Sequence, residues 1–449
     1  MIVSFSVSNY RSFAAEETFS LVASNRLAGR HDDHAVPIPD SSERVLRTAV
    51  LYGANGAGKS NLFKALQYLK ALALDARPKG SGTGRDAFRF GSIAADPTVF
   101  DLQFIASGKL YRFGVKIDDE KIREEWLVRV VGGREKTIYE RVTGDDGVVI
   151  DATGLEGVKV RALASVGGPQ NQSFLATART TLEAADLGGD MGSAAEWFRC
   201  ALGLIGPTDS LTQLGQLLSS NPDLRSFTGD FLKNSSTGID HLSVRTNDIS
   251  REEAGSLLSS HFAGRGFKEL AASDGSALYP IGQGDLVVAR RSGSMARVTV
   301  RTAHEHEPGH AVPMELNEES DGTRRLLDLI PALHELQTRG CVCVIDEIDR
   351  SLHPMLVRSF LEQFLREGKG SQLIMTTHES NLLDQELLRR DEIWFAEKDP
   401  AGATHIYSLM DFKVRNDLEI RKHYLQGRFG AVPFLGDPAR LPVENSQPL

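Results

Sequence analysis

Apolar and polar positions alternate through the first part of the chain. Ile2, Phe5 and Val7 lead into Asn9-Tyr10-Arg11-Ser12-Phe13. This pattern predicts an edge strand, a turn and a second strand around Thr18–Val22. Residues 24–45 are polar, with His31, Asp32, Asp33, His34 and two prolines, and read as a loop. Thr48–Leu51 is a short apolar strand. After a glycine loop, Leu62, Ala65, Leu66, Leu69 and Ala73 fall on one helical face. Arg77–Arg85 is a flexible connection. Three alternating runs between residues 98 and 131 (TVFDLQFI, LYRFGVKI and EEWLVRVV) predict an antiparallel meander with short turns.

The character changes near residue 160. Phe174–Ala185, Ala194–Leu204, Leu211–Leu218 and Leu224–Leu232 suggest short helices broken by Gly and Pro. Val287–Ala289 and Val298–Val300 read as strands. The last third alternates: a helix after Gly322, strand Cys341–Ile345, helix Met355–Arg366, strand Gln372–Thr376 and strand Glu392–Ala396. That succession is an α/β pattern. No internal repeat or sustained heptad run occurs, and the helical middle is too broken for a long coiled coil.

Composition narrows the class. The chain has 449 residues, enough for two or three domains, with 41% apolar and 25% charged residues. Its formal charge of -9 argues against a non-specific nucleic-acid clamp, although a local basic groove is compatible with it. The N-terminal residues carry no basic region followed by an apolar run, so no signal peptide is expected. No stretch of 18 apolar residues predicts a membrane span. Cys200, Cys341 and Cys343 are the only cysteines. Cys341 and Cys343 share one strand face, a poor geometry for bridging each other, and a reducing cytoplasm fits best.

Residues 53–60 read GANGAGKS, a full G-x-x-x-x-G-K-S between an apolar strand and an amphipathic helix. Gly53, Ala54, Asn55, Gly56, Ala57 and Gly58 are expected to turn backbone N–H groups onto phosphates, helped by the positive end of the helix. Lys59 is expected to neutralise the β- and γ-phosphates of ATP, and Ser60 to hold Mg²⁺. A plain Gly-rich turn is the bland alternative.

Cys341-Val342-Cys343-Val344-Ile345-Asp346-Glu347 is an apolar strand ending in two acids. Asp346 is placed to hold Mg²⁺ and Glu347 to polarise an attacking water. Acids merely solvating a strand end are the competing reading. Gln372–Thr376 is followed by Thr377 and His378, and His378 is expected to donate a hydrogen bond to the γ-phosphate. Shortly before the acids comes ELNEESDGTRRLL, residues 315–327, in which Ser320 reads as a helix N-cap.

Walker A, a large insertion, a Ser-x-Gly helix start, an Asp-Glu strand and a strand ending in His follow one another in an order that resembles ABC-type ATPase heads. Asn-Tyr-Arg-Ser-Phe, ESDGTRRLL, IDEIDRSLHP, TTHESNLL and KHYLQGRFGAVPFL resemble one branch more closely. That branch is the ABC/SMC-like, "AAA-family" ATP-binding proteins, related to the overcoming-lysogenization-defect nucleases and to ATPase subunits of abortive-infection and anti-phage systems. The resemblance covers residues 1–70 and 315–435. It implies an α/β fold: an ABC-type P-loop ATPase head with an antiparallel β lobe and a mainly helical insertion. The expected divisions are lobe I at 1–160, the insertion at 161–290, lobe II at 291–435 and a tail at 436–449. It further implies a homodimer, or higher oligomer, sandwiching ATP. Each P-loop would then face the partner's Ser320, Gly322 and Thr323. The signature departs from the transporter Leu-Ser-Gly-Gly, since Asp321 stands where a glycine is usual. Gln103 is the candidate Q-loop residue and Mg²⁺ ligand; otherwise it is an exposed strand residue. Arg11 matches an arginine near nucleotide in related heads, or else makes a surface salt bridge. Asp349 and His353 would lie at the dimer seam, or cap the helix before Pro354.

Two clusters are discounted. His304, Glu305, His306, Glu307 and His310, with Pro308 and Gly309, read as a hairpin tip rather than a metal site. Arg290, Arg291, Arg297 and Arg301 read as a solvated strand face. No nuclease constellation is found. The leading reading is the sensor or scaffold ATPase of a defence system, acting with a separate nuclease- or TOPRIM-like effector. A RecF-like DNA-repair ATPase is the alternative, and a transporter subunit is disfavoured.

Overall fold

The computed structural model describes residues 1–262, 270–271, 275–282, 284–307, 310–415 and 418–433. The expected hairpin tip at Pro308 and Gly309 and the tail at 436–449 lie outside the described residues. The chain forms two compact units: Met1–Leu204 with Gln372–Leu449, and Ile205–Ser371.

The first unit contains a seven-stranded antiparallel sheet. The three predicted meander strands are Thr98–Ala106, Lys109–Ile117 and Ile122–Val131. Two more follow, Arg134–Gly144 and Gly147–Asp151. The charged sequence of Arg134–Gly144 hid it, but hydrogen bonding to a formed neighbour outweighs weak strand propensity. Ile2–Ser8 pairs on one side with Glu17–Ser20 and on the other with Thr98–Ala106, so it is an inner strand, not the predicted edge. Strict alternation along Thr98–Ala106 buries Phe100, Leu102 and Phe104 on one face. Phe100 packs against Tyr10 and Tyr68, and Tyr68 belongs to the helix Lys59–Leu74.

A second sheet carries the strand Thr48–Tyr52, buried throughout. It pairs in parallel with Gln372–Thr376 on one side and Ile393–Lys398 on the other. Thr404–Ser408 adds an antiparallel strand to Ile393–Lys398. Burial on both faces explains the continuous apolar run AVL and the strand LIM.

The second unit opens with the helices Leu214–Ser220 and Pro222–Asn234. An antiparallel sheet follows, built on His241–Ile249, Ala277–Pro280, Leu286–Ala289, Met295–Glu307 and His310–Glu315. His241–Ile249 is a strand inside the insertion expected to be mainly helical, and the helix Arg251–Phe262 follows it. The strand escaped notice because HLSVRTNDI has few apolar positions; it is mostly exposed on both faces. Leu278, Leu286, Val288 and Val298 form a core on one face of this sheet. Asp321–Thr338, Val342–Ile345 and Pro354–Glu367 complete the unit in the predicted helix–strand–helix order.

Candidate nucleotide site

The P-loop lies between Thr48–Tyr52 and Lys59–Leu74, in the strand–loop–helix context the motif requires. Gly58, the N-cap, has φ of 110°. A Cβ there would collide with the side chain of Thr404, so glycine is needed for space as well as for φ. Thr404 is buried and reaches the Ala57 carbonyl and the Ser12 hydroxyl, both at 2.8 Å. Its N–H donates to the Ser12 carbonyl at 2.7 Å, and Asn61 Nδ2 donates to Ser12 Oγ at 2.7 Å. The phosphate loop is thus braced from behind by Ser12 of the NYRSF turn and by Thr404. Sequence reasoning missed both, because neither is near GANGAGKS in the chain. Asn9 anchors the same turn, donating to the Ile93 carbonyl at 2.8 Å and accepting from the Phe88 N–H at 3.1 Å.

Lys59 is buried, and its Nζ donates to the Gly53 carbonyl at 2.8 Å and the Ala54 carbonyl at 3.3 Å. The ammonium also lies 3.0 Å from His378 Nε2. Lysine has only donors, so in this contact Nε2 takes the acceptor role. The structure therefore brings together GANGAGKS and His378, two of the predicted elements. It does not bring Gln103 to them. Gln103 shares a face with Asp101, Arg112 and Trp126, opposite the face whose Phe100 packs on the P-loop helix. A magnesium role for Gln103 therefore has no support from its position on the sheet. Arg11 pairs with Asp86 at 3.4 Å, in line with its salt-bridge reading.

The second unit holds the remaining candidates. Ser320 caps the helix Asp321–Thr338: its Oγ accepts from the Thr323 N–H at 3.1 Å and lies 2.9 Å from Thr323 Oγ1. Ser320 and Asp321 are exposed, so the positive end of an 18-residue helix faces solvent. The Asp321 carboxylate pairs with Arg324, which offsets a negative charge at that end. Just before the cap, buried Glu319 bonds to Thr302 and, at 2.8 Å, to His304 Nε2. That bond gives His304 of the discounted cluster a structural role.

Asp346 is buried at the end of Val342–Ile345, and its N–H donates to the Ile205 carbonyl at 2.9 Å. Glu347 has φ of 50°, so the chain turns sharply and the adjacent acids do not continue the strand's alternation. Left-handed backbone at a non-glycine residue costs about 1 kcal/mol and must be held by its surroundings. Ser351 is left-handed as well, with φ of 61°. Its carbonyl comes so close to Gly322 that a Cβ there would lie 2.7 Å away. The signature glycine is thus packed against the segment after the two acids. His353 Nδ1 accepts from the Met355 N–H at 3.2 Å, the capping alternative expected before Pro354.

Three arginines of the basic run are matched by acids. Arg290 pairs with Asp248, Arg297 with Asp285, and Arg301 with Asp285 and Glu315. Among the described residues no helix is long and apolar enough to cross a membrane.

Solved structures resemble the chain at low identity. The SMC head domain from Thermotoga maritima matches with a TM-score of 0.38 and 13% identity, covering 91% of this chain and 98% of that one. The SmcHead bound to the C-winged helix domain of ScpA gives 0.38 and 14%, covering 91% and 97%. The Smc head domain with an extended coiled coil, bound to the C-terminal domain of ScpA derived from Pyrococcus furiosus, gives 0.39 and 11%, covering 91% and 96%. Likeness at this level says nothing about activity. No curated protein matches the chain. A family model described as "AAA domain, putative AbiEii toxin, Type IV TA system" matches residues 49–154 and 176–384. With more than half of its length matched, including the phosphate loop, the signature helix and the Asp-Glu strand, the chain belongs to this family of AAA ATPase domains.

Proposed function

We propose that the protein is an Mg²⁺-dependent, ATP-hydrolysing conformational switch. Two copies close over ATP, hydrolysis opens them, and the closed state controls a separately encoded effector of a cytoplasmic anti-phage system. The observation that carries this reading is the exposed N-terminus of the helix Asp321–Thr338, capped by exposed Ser320. A helix end of this kind offers N–H groups and a positive field to a phosphate. On a two-fold interface it would meet the γ-phosphate held by the P-loop of a second copy.

Lys59 would neutralise the β- and γ-phosphates, leaving the Gly53 and Ala54 carbonyls to which it now donates. His378, already beside Lys59, would turn a ring N–H toward the γ-phosphate. Ser60 and Asp346 are the residues that would each offer an oxygen ligand to Mg²⁺, the donor type a hard cation takes. When bound, the ion would supply positive charge that offsets the charge of the phosphates. Glu347 would orient the attacking water and accept its proton. Ser320, Gly322 and Thr323 would grip the γ-phosphate across the seam, so its loss removes the charge-assisted bonds that hold two copies together.

Glu347→Gln is expected to keep ATP affinity, lower turnover by about 100-fold or more, and accumulate an ATP-bound dimer in sedimentation. Lys59→Ala is expected to weaken ATP binding itself. Equal turnover in Glu347→Gln and wild type would remove Glu347 from its role. Turnover stimulated by duplex DNA, with salt-sensitive binding, would favour the RecF-like alternative. The acid-matched arginines of the Met295–Glu307 strand lend that alternative no support.

A further inference from the structure

Arg325 lies within the first turns of the signature helix and is 6% exposed. Its Nη1 makes a long bond of 3.4 Å to the Asp209 carbonyl. Its Nε and Nη2 meet no acceptor among the described residues. These two nitrogens form one edge of the guanidinium fork, the edge that oxyanions grip with two parallel hydrogen bonds. Buried donors are nearly always bonded, so an arginine with a whole edge unbonded calls for a partner. Burial holds the Arg325 pKa below its ordinary value. Asp328 and Asp209 oppose that shift, and the positive charge of Arg350 adds to it.

Arg325 lines a cleft of about 290 Å³ with residues 207–210, Arg324, Arg350 and Ser351. Each acid lining this cleft also holds another group, and none makes a hydrogen bond to the Nε–Nη2 edge of Arg325 among the described residues. Asp209 accepts from the Gly206 N–H at 2.7 Å, Asp328 from the Leu211 N–H at 2.9 Å, and Asp321 pairs with Arg324. Arg350 donates to the Pro207 carbonyl at 3.0 Å and presents a second guanidinium to the same space. Two guanidiniums that repel each other are relieved more by a doubly charged anion than by a single carboxylate.

We propose that this cleft is an oxyanion site in which the Nε–Nη2 edge of Arg325, backed by Arg350, holds a phosphate group. The phosphate would come either from a nucleotide carried by a second copy of the chain or from free inorganic phosphate. The nucleotide source rests on the head engagement proposed above; the free-phosphate source does not.

The test uses the full chain and two backgrounds. In Lys59→Ala, which takes the P-loop out of the measurement, inorganic phosphate and acetate are titrated separately and the Tm is followed. A free-phosphate site gives a saturable rise with phosphate that acetate does not give and that Arg325→Met abolishes. In Glu347→Gln, ATP-dependent association is followed by sedimentation. A nucleotide-supplied phosphate makes Arg325→Met weaken association by at least about tenfold, with ATP affinity unchanged. Failure of Glu347→Gln itself to associate would count against head engagement and leave the phosphate titration to decide the site. Arg325→Met should melt no lower than its parent without anion, since it removes a buried charge whose Nε–Nη2 edge is unbonded. Arg325→Lys, which keeps the charge and loses the two-pronged edge, should also lose the response. The site is overturned if neither arm depends on Arg325, or if acetate gives the same Arg325-dependent rise.

Discussion

At the scale of single residues, Gly322 answers two demands. The proposed grip on phosphate needs a small residue here, and the Ser351 carbonyl needs the space a Cβ would take. Gly322→Ala should therefore push the signature helix away from the segment after Asp346 and Glu347. The expected cost is about 1–3 kcal/mol of stability, an overpacking penalty, with reduced turnover. Chemical denaturation reads the first and steady-state hydrolysis the second; a variant as stable as wild type would show that the contact yields freely. Ser320 as an N-cap was legible, because capping is local and the helix pattern starts at once. The partner of Gly322 was not, because Ser351 lies beyond the helix and the following strand. Gln103 shows the opposite limit. Alternation put it on a strand, but only the packing of Phe100 on Tyr68 reveals which face looks toward the phosphate loop.

Elements explain why the phosphate loop keeps its shape. Ser12 comes from the first turn of the chain and Thr404 from the hairpin strand Thr404–Ser408, and the two are bonded to each other and, through Thr404, to the Ala57 carbonyl of the loop. Thr404→Val keeps the volume and removes the hydroxyl, leaving the buried Ala57 carbonyl and the Ser12 hydroxyl without that partner. A loss of about 1–3 kcal/mol is expected, shared between the stability of this unit and ATP affinity. Calorimetric titration of ATP checks it, and unchanged affinity together with unchanged Tm would discard the bracing role. The meander, the P-loop strand and helix, and the last helix–strand–helix run were readable because their apolar periods are strong. Arg134–Gly144 and His241–Ile249 were not, since charged and polar side chains fill them and only hydrogen bonding to neighbours makes them strands.

For the whole molecule, the proposed sandwich makes an assembly prediction. Lys59→Ala spoils the P-loop and leaves the signature; Ser320→Arg does the reverse. Each alone should be inactive in hydrolysis. Mixed in equal amounts, half of the dimers are hybrids, and each hybrid has one composite site with both halves intact. Recovery of roughly a quarter of wild-type turnover is expected from that pairing. No recovery, with each variant still folded and Ser320→Arg still binding ATP, would mean that the signature does not act across two copies. The sequence could carry this idea only through motif order, because an interface between copies leaves no periodic trace within one chain.

The strand that launches the phosphate loop has both its neighbours far downstream in the sequence. Thr48–Tyr52 is flanked by Gln372–Thr376 and Ile393–Lys398. While the ribosome is still making the middle of the protein, that apolar strand has emerged with both hydrogen-bonding edges open. Such edges invite pairing with the wrong chain. The nascent protein should therefore engage chaperones until residues near 400 appear. A transcript cut short before that point should yield insoluble protein that binds no ATP, even with GANGAGKS intact. Cells would thus have no version of this engine in circulation that holds the phosphate loop without its flanking strands: competence to bind nucleotide arrives only once Ile393–Lys398 has been made.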